Sequence, residues 1–258
     1  MRVIVTRPLG QAGAWVERLR QHGIDATALP LITIAAPPDR AAVAAAWHTL
    51  ERRSLVVFVS PNAAQAFFGS APAGAQWPVG LRAAAPGPGT TTELARLGVP
   101  PALIVEPAAD APQFDSEALW ARLAGDDWRA ASILVVRGSS GRDWLAQRFA
   151  ERGARVDHVA AYARTAPTLG ADERRLLDDA LAEPRRHLWL FSSSEAVDQL
   201  VALAPDAAST DARRWLDARA IATHPRIAAR AQQAGFGRVI EARPALSAVV
   251  ACIQSIRP

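Results

Sequence analysis

Short unbroken runs of apolar residues alternate along this chain with segments in which apolar residues return at helical spacing. Val3-Ile4-Val5, Leu55-Val56-Val57-Phe58, Ile133-Leu134-Val135-Val136 and Leu188-Trp189-Leu190-Phe191 are runs of the first kind. They predict strands buried on both faces, because a strand with one wet face alternates apolar with polar residues. After the first and third runs come amphipathic segments carrying Trp15 and Leu19, or Leu145 and Phe149. These end at Gly23 and Gly153, where glycine suits the left-handed turn that stops a helix. Strand and helix in alternation predict parallel sheets covered by helices on both faces.

The pattern repeats. Val3-Ile4-Val5-Thr6-Arg7 matches Ile133-Leu134-Val135-Val136-Arg137, and the same spacing pairs Trp15 with Leu145, Gly23 with Gly153 and Pro37 with Pro167. A second pair of segments, Leu55 to Ser60 before Ala64 and His187 to Ser192 before Ala196, reads strand, serine, helix. A third runs from Arg82 to Gly98 and from Arg219 to Gly235, each a strand, a proline-containing turn and a helix closed by glycine. Two halves therefore share one plan.

In sheets of this kind ligands sit beyond the carboxyl ends of the strands, where loops lead into helices. The repeated junctions are Thr6 to Gly10, Ser60 to Asn62, Pro86 to Thr92, Arg137 to Arg142, Ser192 to Ser194 and Thr223 to Arg226. Their Ser and Thr hydroxyls cap helices, and with free backbone N–H groups they also accept anions. Arg7, Arg137, Arg142 and Arg226 lie in or beside these loops, where guanidinium forks suit carboxylates.

Composition narrows the class. At 258 residues, half apolar and 21% charged, the chain has the length for about two domains and the makeup of a globular protein. All 29 basic residues are Arg, but 25 acids leave a net charge of only +4, too little to mark a nucleic-acid binder. Basic residues are spread along every helix and set beside acids, as in Glu17-Arg18, Arg142-Asp143 and Asp211-Ala212-Arg213. One cysteine, Cys252, excludes an internal disulfide framework and a Cys-based metal cluster. His22, His48, His158, His187 and His224 form no close pair at metal-ligand spacing, and neither a dinucleotide nor a phosphate-loop motif is present. Neither a metal nor an organic cofactor is expected. A strand begins directly after Met1-Arg2, and no apolar run approaches membrane-spanning length, so a soluble cytoplasmic monomer is the expectation.

Four segments carry a family resemblance: Val57-Phe58-Val59-Ser60-Pro61-Asn62-Ala63, Phe114-Asp115-Ser116-Glu117-Ala118-Leu119, Val159-Ala160-Ala161-Tyr162-Ala163-Arg164 and Leu190-Phe191-Ser192-Ser193-Ser194-Glu195-Ala196-Val197. In order and spacing, over nearly the whole chain, they resemble uroporphyrinogen-III synthase. The resemblance implies an α/β fold of two similar lobes, each a parallel sheet flanked by helices, joined by a two-stranded β linker. One lobe would combine residues 1–35 with 168–258, and the other would be residues 38–164. Antiparallel linker strands would lie near residues 29–36 and 158–166, ending at Pro37 and Pro167.

The implied activity, within porphyrin and heme biosynthesis, is cyclisation of hydroxymethylbilane to uroporphyrinogen III, with loss of water and inversion of the last pyrrole ring. Such chemistry asks chiefly for positioning, and a cleft between two mobile lobes suits it. Tyr162 matches the family tyrosine that faces the cleft and assists departure of the hydroxyl. Arg7, Ser60, Pro61, Asn62, Thr90, Thr91, Arg137, Gly138, Ser192, Ser193 and Arg226 are the substrate-binding candidates, for a substrate carrying eight carboxylates. No nucleic acid or membrane partner is implied, and a transient contact with the preceding pathway enzyme is. The chain departs from the family at Thr223-His224-Pro225-Arg226-Ile227, where a hydroxyl expected near residue 227 is missing. Either Arg226 replaces it or backbone N–H groups serve there alone. The rival reading is a non-catalytic two-lobed binder of a small anion, or a regulatory protein of the same architecture, since one architecture hosts several functions.

Overall fold

In a computed structural model that describes residues 1–204 and 215–256, backbone contacts divide the chain into two compact units. One combines Met1–Thr33 with Thr165–Pro258, and the other is Ile34–Arg164.

The second unit is built on a sheet ordered β3-β8-β7-β4-β5-β6. These strands are Thr33–Ala35, Arg155–Thr165, Ser132–Gly138, Leu55–Phe58, Arg82–Ala84 and Ile104–Val105. From β8 to β6 every neighbouring pair is parallel. The continuous apolar runs are explained by burial on both faces. Val56, Phe58, Leu134 and Val136 face one core, which α2 (Arg40–Trp47), α3 (Pro61–Gly69) and α4 (Pro88–Arg96) cover with Val43, Trp47, Phe67 and Leu94. Leu55, Val57, Ile133 and Val135 face a second core, covered by Leu119 and Leu123 of α5 (Ser116–Leu123) and by Leu145 and Phe149 of α6 (Trp144–Glu151). In the first core Trp47 stacks on Phe67 at 4.8 Å and donates its indole N–H to the Phe67 carbonyl at 2.9 Å, which satisfies the one polar atom of a buried ring. Arg53 anchors the amino ends of these strands through Asp157 and the Ser132 hydroxyl.

The first unit carries a sheet ordered β11-β10-β9-β1-β2, comprising Arg238–Glu241, Arg219–Ala222, His187–Phe191, Arg2–Val5 and Ala26–Ala28. All its pairs are parallel. Val3, Val5, Leu188 and Leu190 pack under α1 (Leu9–Gln21) and α10 (Leu246–Ile256). On the alternate positions Trp189 and Phe191 lie with nearly parallel rings, and Phe191 meets Phe236 edge-on beyond α9 (Pro225–Gln233). α7 (Ala171–Ala182) and α8 (Ser194–Leu203) complete the unit.

The sequence repeat maps onto these sheets with a permutation. β1 and β2 are the counterparts of β7 and β8, and β9, β10 and β11 are those of β4, β5 and β6. Read through that mapping, both sheets have one spatial order. Each sheet nevertheless joins the leading part of one repeat to the trailing part of the other. Helix ends repeat as well: Gly23 and Gly153 have φ of 69° and 83°, and Gly98 and Gly235 have φ of 99° and 98°, the left-handed region that L side chains avoid.

β8 is longer than the linker strand expected from residue 158. It begins at Arg155 as the parallel partner of β7 and runs to Thr165. β3 stops at Ala35, ahead of Pro37, and β8 stops ahead of Pro167, where a missing N–H ends the ladder. Among the described residues no helix is long and apolar enough to cross a membrane.

Candidate functional site

In the second unit the chain leaves β4 toward β5 on one side and β7 toward β8 on the other, so the strand order reverses between β4 and β7. Helices α3 and α6, which follow these strands, cover opposite faces. In open α/β sheets ligands bind at the carboxyl ends of the two strands between which the order reverses. Ser60 and Gly138 stand there, at the ends of β4 and β7.

Tyr162 is brought to the same place by an irregularity in β8. Arg137 pairs with Ala160, but Gly138 pairs with Tyr162, so Ala161 is an extra residue on β8. Such a bulge re-aims the side chain that follows it. The Tyr162 ring lies over Gly138, where a Cβ would come within 3.0 Å of Cζ and 3.3 Å of the phenol oxygen. Only glycine leaves room for this ring without displacement.

The phenol oxygen accepts a hydrogen bond from Arg164 Nη2 at 3.0 Å and shares one with Ser60 Oγ at 3.1 Å. Ser60 Oγ also accepts from the Ala63 N–H at 3.2 Å, capping α3, whose first residue is Pro61. Arg164 has only donors, so the phenol oxygen is held as an acceptor on that side, while across the Ser60 contact either hydroxyl can donate. The resemblance has this tyrosine facing a cleft. Here the side chain is 1% exposed, and the half-buried Ser60 and Arg164 are its outlets. Arg164 is absent from the candidates drawn from the sequence, although its spacing from Tyr162 already placed both on one face of a strand.

The remaining candidates lie at the other junctions. Asn62 is half-buried in the first turn of α3. Thr90 is buried in the first turn of α4, and Thr91 donates to Glu106 Oε2 at 2.7 Å. Arg137 pairs with Asp143. Arg142 grips Glu117 with two bonds, at 2.7 and 3.0 Å, so the expected neighbour pair Arg142-Asp143 is not formed: Asp143, at the entry to α6, is turned toward Arg137 and stands 3.9 Å from His158. The pair drawn between Asp211 and Arg213 lies outside the described residues.

In the first unit the strand order reverses between β9 and β1. Thr6 ties the two strand ends together, its hydroxyl donating to the Leu190 carbonyl at 2.9 Å. Beside it Arg7 lies over the Trp15 ring at 4.5 Å and donates to Gln11 Oε1 at 3.3 Å. Burial pushes the Arg7 guanidinium down to about 10, still charged at neutral pH. The helix cap after β9 is Ser193, which accepts from the Glu195 N–H at 3.2 Å, one residue later than Ser192, the counterpart of Ser60. At the divergent junction Ile227 is buried and Arg226 is exposed. His224 caps that helix instead, accepting from the Arg226 N–H at 3.1 Å.

The family model described as "Uroporphyrinogen-III synthase HemD" matches residues 13–251 of this chain. Among solved structures, the uroporphyrinogen-III synthetase of Helicobacter pylori is similar with a TM-score of 0.60 at 15% identity, covering 100% of both chains. A mutant uroporphyrinogen III synthase of the extreme thermophile Thermus thermophilus is similar with a TM-score of 0.58 at 15% identity, over 99% of this chain and 98% of that one. At such identity these likenesses speak for the fold, and the family match carries the membership.

Proposed function

The chain belongs to the uroporphyrinogen-III synthase family, and from that premise we propose that it acts as a hydro-lyase of heme biosynthesis. It closes hydroxymethylbilane to uroporphyrinogen III, and the residues around Tyr162 assist loss of the hydroxyl group. The observation that carries this reading is the placement of the Tyr162 phenol oxygen between Ser60 and Arg164, at the strand-order reversal of the second unit.

The substrate brings most of the reactivity. A pyrrole nitrogen lone pair expels the terminal hydroxyl, the carbon–oxygen bond breaks, and an azafulvene remains. Departure as water requires one proton. Ser60 Oγ gives its proton to the leaving hydroxyl and takes the phenol proton of Tyr162, whose oxygen then carries a charge facing the Arg164 guanidinium. The last pyrrole attacks this azafulvene cation through its substituted α-carbon to give a spiro intermediate; the bond from that carbon to the neighbouring methylene bridge then breaks, and the freed methylene is captured by the ring's unsubstituted α-carbon, so the ring is inverted. The proton lost as the final pyrrole is restored returns to Tyr162 through Ser60, so protons balance over the cycle. General acid assistance of this kind contributes typically 10²–10⁴-fold, and positioning of the folded bilane supplies the rest. Hydroxyl and N–H donors at the junctions that carry Asn62, Thr90, Thr91, Gly138 and Ser193 are suited to the substrate's carboxylates.

The test couples a hydroxymethylbilane-generating enzyme to this protein, oxidises the products and separates uroporphyrin isomers I and III. Dominant type III is expected, with slower turnover in Tyr162→Phe. Type I alone, at the rate seen without the protein, overturns the reading in favour of the non-catalytic anion binder.

A further inference from the structure

Three arginines among the described residues have a buried Nε with no hydrogen-bond partner: Arg7, Arg53 and Arg148. Arg53 is ion-paired with Asp157 and Arg148 with Glu151. Arg7 meets no carboxylate among the described residues. Its contacts are the Trp15 face and one long hydrogen bond to a neutral amide. Arg7 as a whole is half-buried, but buried polar atoms are nearly always hydrogen-bonded, so an unpartnered Nε on a guanidinium without a carboxylate among the described residues stands out.

The internal duplication supplies a control. The counterpart of Arg7 is Arg137, which is neutralised by Asp143. The counterpart of Asp143 in the first repeat is Gly13, which has no side chain to offer. Arg7 also sits where the strand order of its sheet reverses, and it leads into a helix whose first turn has no side-chain cap. A cation without a carboxylate among the described residues, at a sheet's ligand-binding position and on a helix start without a side-chain cap, is suited to an external anion.

We propose that Arg7 is a carboxylate-binding site of the first unit, with Trp15 holding the guanidinium plane and Gln11 fixing its Nη1 edge, so that the outer edge of the fork faces the ligand. A planar carboxylate suits the fork. Assigning that carboxylate to the bilane rests on the function proposed above, whereas the site itself does not.

Titration of the ¹⁵N-labelled full chain with succinate, inorganic phosphate or chloride at constant ionic strength, reading the Arg side-chain Nε–H resonances, tests the site. The Arg7 signal, identified by its loss in Arg7→Met, shifts saturably with succinate and not with chloride. Gln11→Glu, which places an internal carboxylate at the existing 3.3 Å contact, abolishes that shift while leaving Arg7 in place. In the coupled assay Arg7→Met raises KM for the bilane about tenfold or more, as loss of a charge-assisted bond predicts, with kcat held within about twofold. A thermal melt of each variant reports folding. No saturable shift with any anion overturns the site, even if wild type makes the type III isomer. A stronger response to phosphate than to succinate overturns the choice of carboxylate. A saturable succinate shift in a protein that yields only type I sustains the site and sinks the synthase reading.

Discussion

Replacing Arg7 by methionine is expected to stabilise the protein, although it removes a charged contact. Burial pushes the guanidinium down to about 10, and at 1.36 kcal/mol per unit holding the charge there costs about 3 kcal/mol. Methionine keeps most of the buried stem and carries no charge. What it forfeits is the stacking on Trp15, about 1 kcal/mol, and a long hydrogen bond to Gln11, also about 1 kcal/mol. The balance favours the variant by about 1 kcal/mol, a rise in melting temperature of about 2–4 °C for a chain of this length. The sign with pH follows from the direction of the shift. The folded pKa lies below the unfolded one, so the cost is present in full below pH 10 and is relieved as pH rises from about 10 toward the unfolded value. The advantage of Arg7→Met is therefore constant between pH 7 and 9 and shrinks by pH 11. Thermal melts followed by circular dichroism, with chloride as the only anion, measure it. A melting temperature lowered by 2 °C or more, at any pH in that range, refutes the claim that Arg7 is an uncompensated buried cation. Added succinate narrows the gap by stabilising wild type alone, as binding to the native state must.

Gly138→Ala forces the Tyr162 ring away from its contact at 3.0 Å, and the coupled isomer assay is expected to show turnover reduced about tenfold or more with little change in KM; undiminished turnover speaks against a role for this ring position. Gly237→Ala sets a Cβ against the Leu216 carbonyl, backbone that cannot yield cheaply, so urea unfolding should show a loss of at least about 2 kcal/mol. The Arg53 guanidinium holds the Asp157 carboxyl below the usual carboxylate range. That contribution is present in full above the unfolded value of about 3.9 and is lost as pH falls from there through the lower folded value. Asp157→Asn is thus destabilised at pH 7, and the gap between its urea midpoint and that of wild type narrows as pH falls below about 4.

How much was legible in the sequence varies with the range of the interaction that decides each feature. The doubly buried strands, the helices that follow them and their glycine stops follow from local spacing and backbone freedom. Val56 and Val57 must both be apolar because β4 has a core on each face, and Gly23, Gly98, Gly153 and Gly235 occupy a backbone region that side chains avoid. The α/β class and the duplication come from these local rules, and the family resemblance rests on the order of short motifs along the chain. Asp143 shows where local reasoning stops. Its neighbour in sequence is Arg142, yet it pairs with Arg137, because the turn into α6 directs it back to the strand end.

The site divides in the same way. Ser60 as a helix cap was readable from strand, serine and helix in succession. The setting of Tyr162 was not, because it depends on a bulge in β8, on a glycine in β7 and on a guanidinium two residues farther along. By itself the sequence determined which segments become strands and helices, that they repeat, and which residue types wait at the strand ends, since these follow from side chains and their near neighbours. Only the tertiary structure decided that β1 lies beside β9 and β7 beside β4, so that each sheet mixes two repeats. With it came the contrast between an Arg137 that finds a carboxylate and an Arg7 that finds none among the described residues. Strand partners are chosen by backbone pairing and shared cores over long sequence separations, and two repeats with nearly the same pattern leave that choice open until the chain packs.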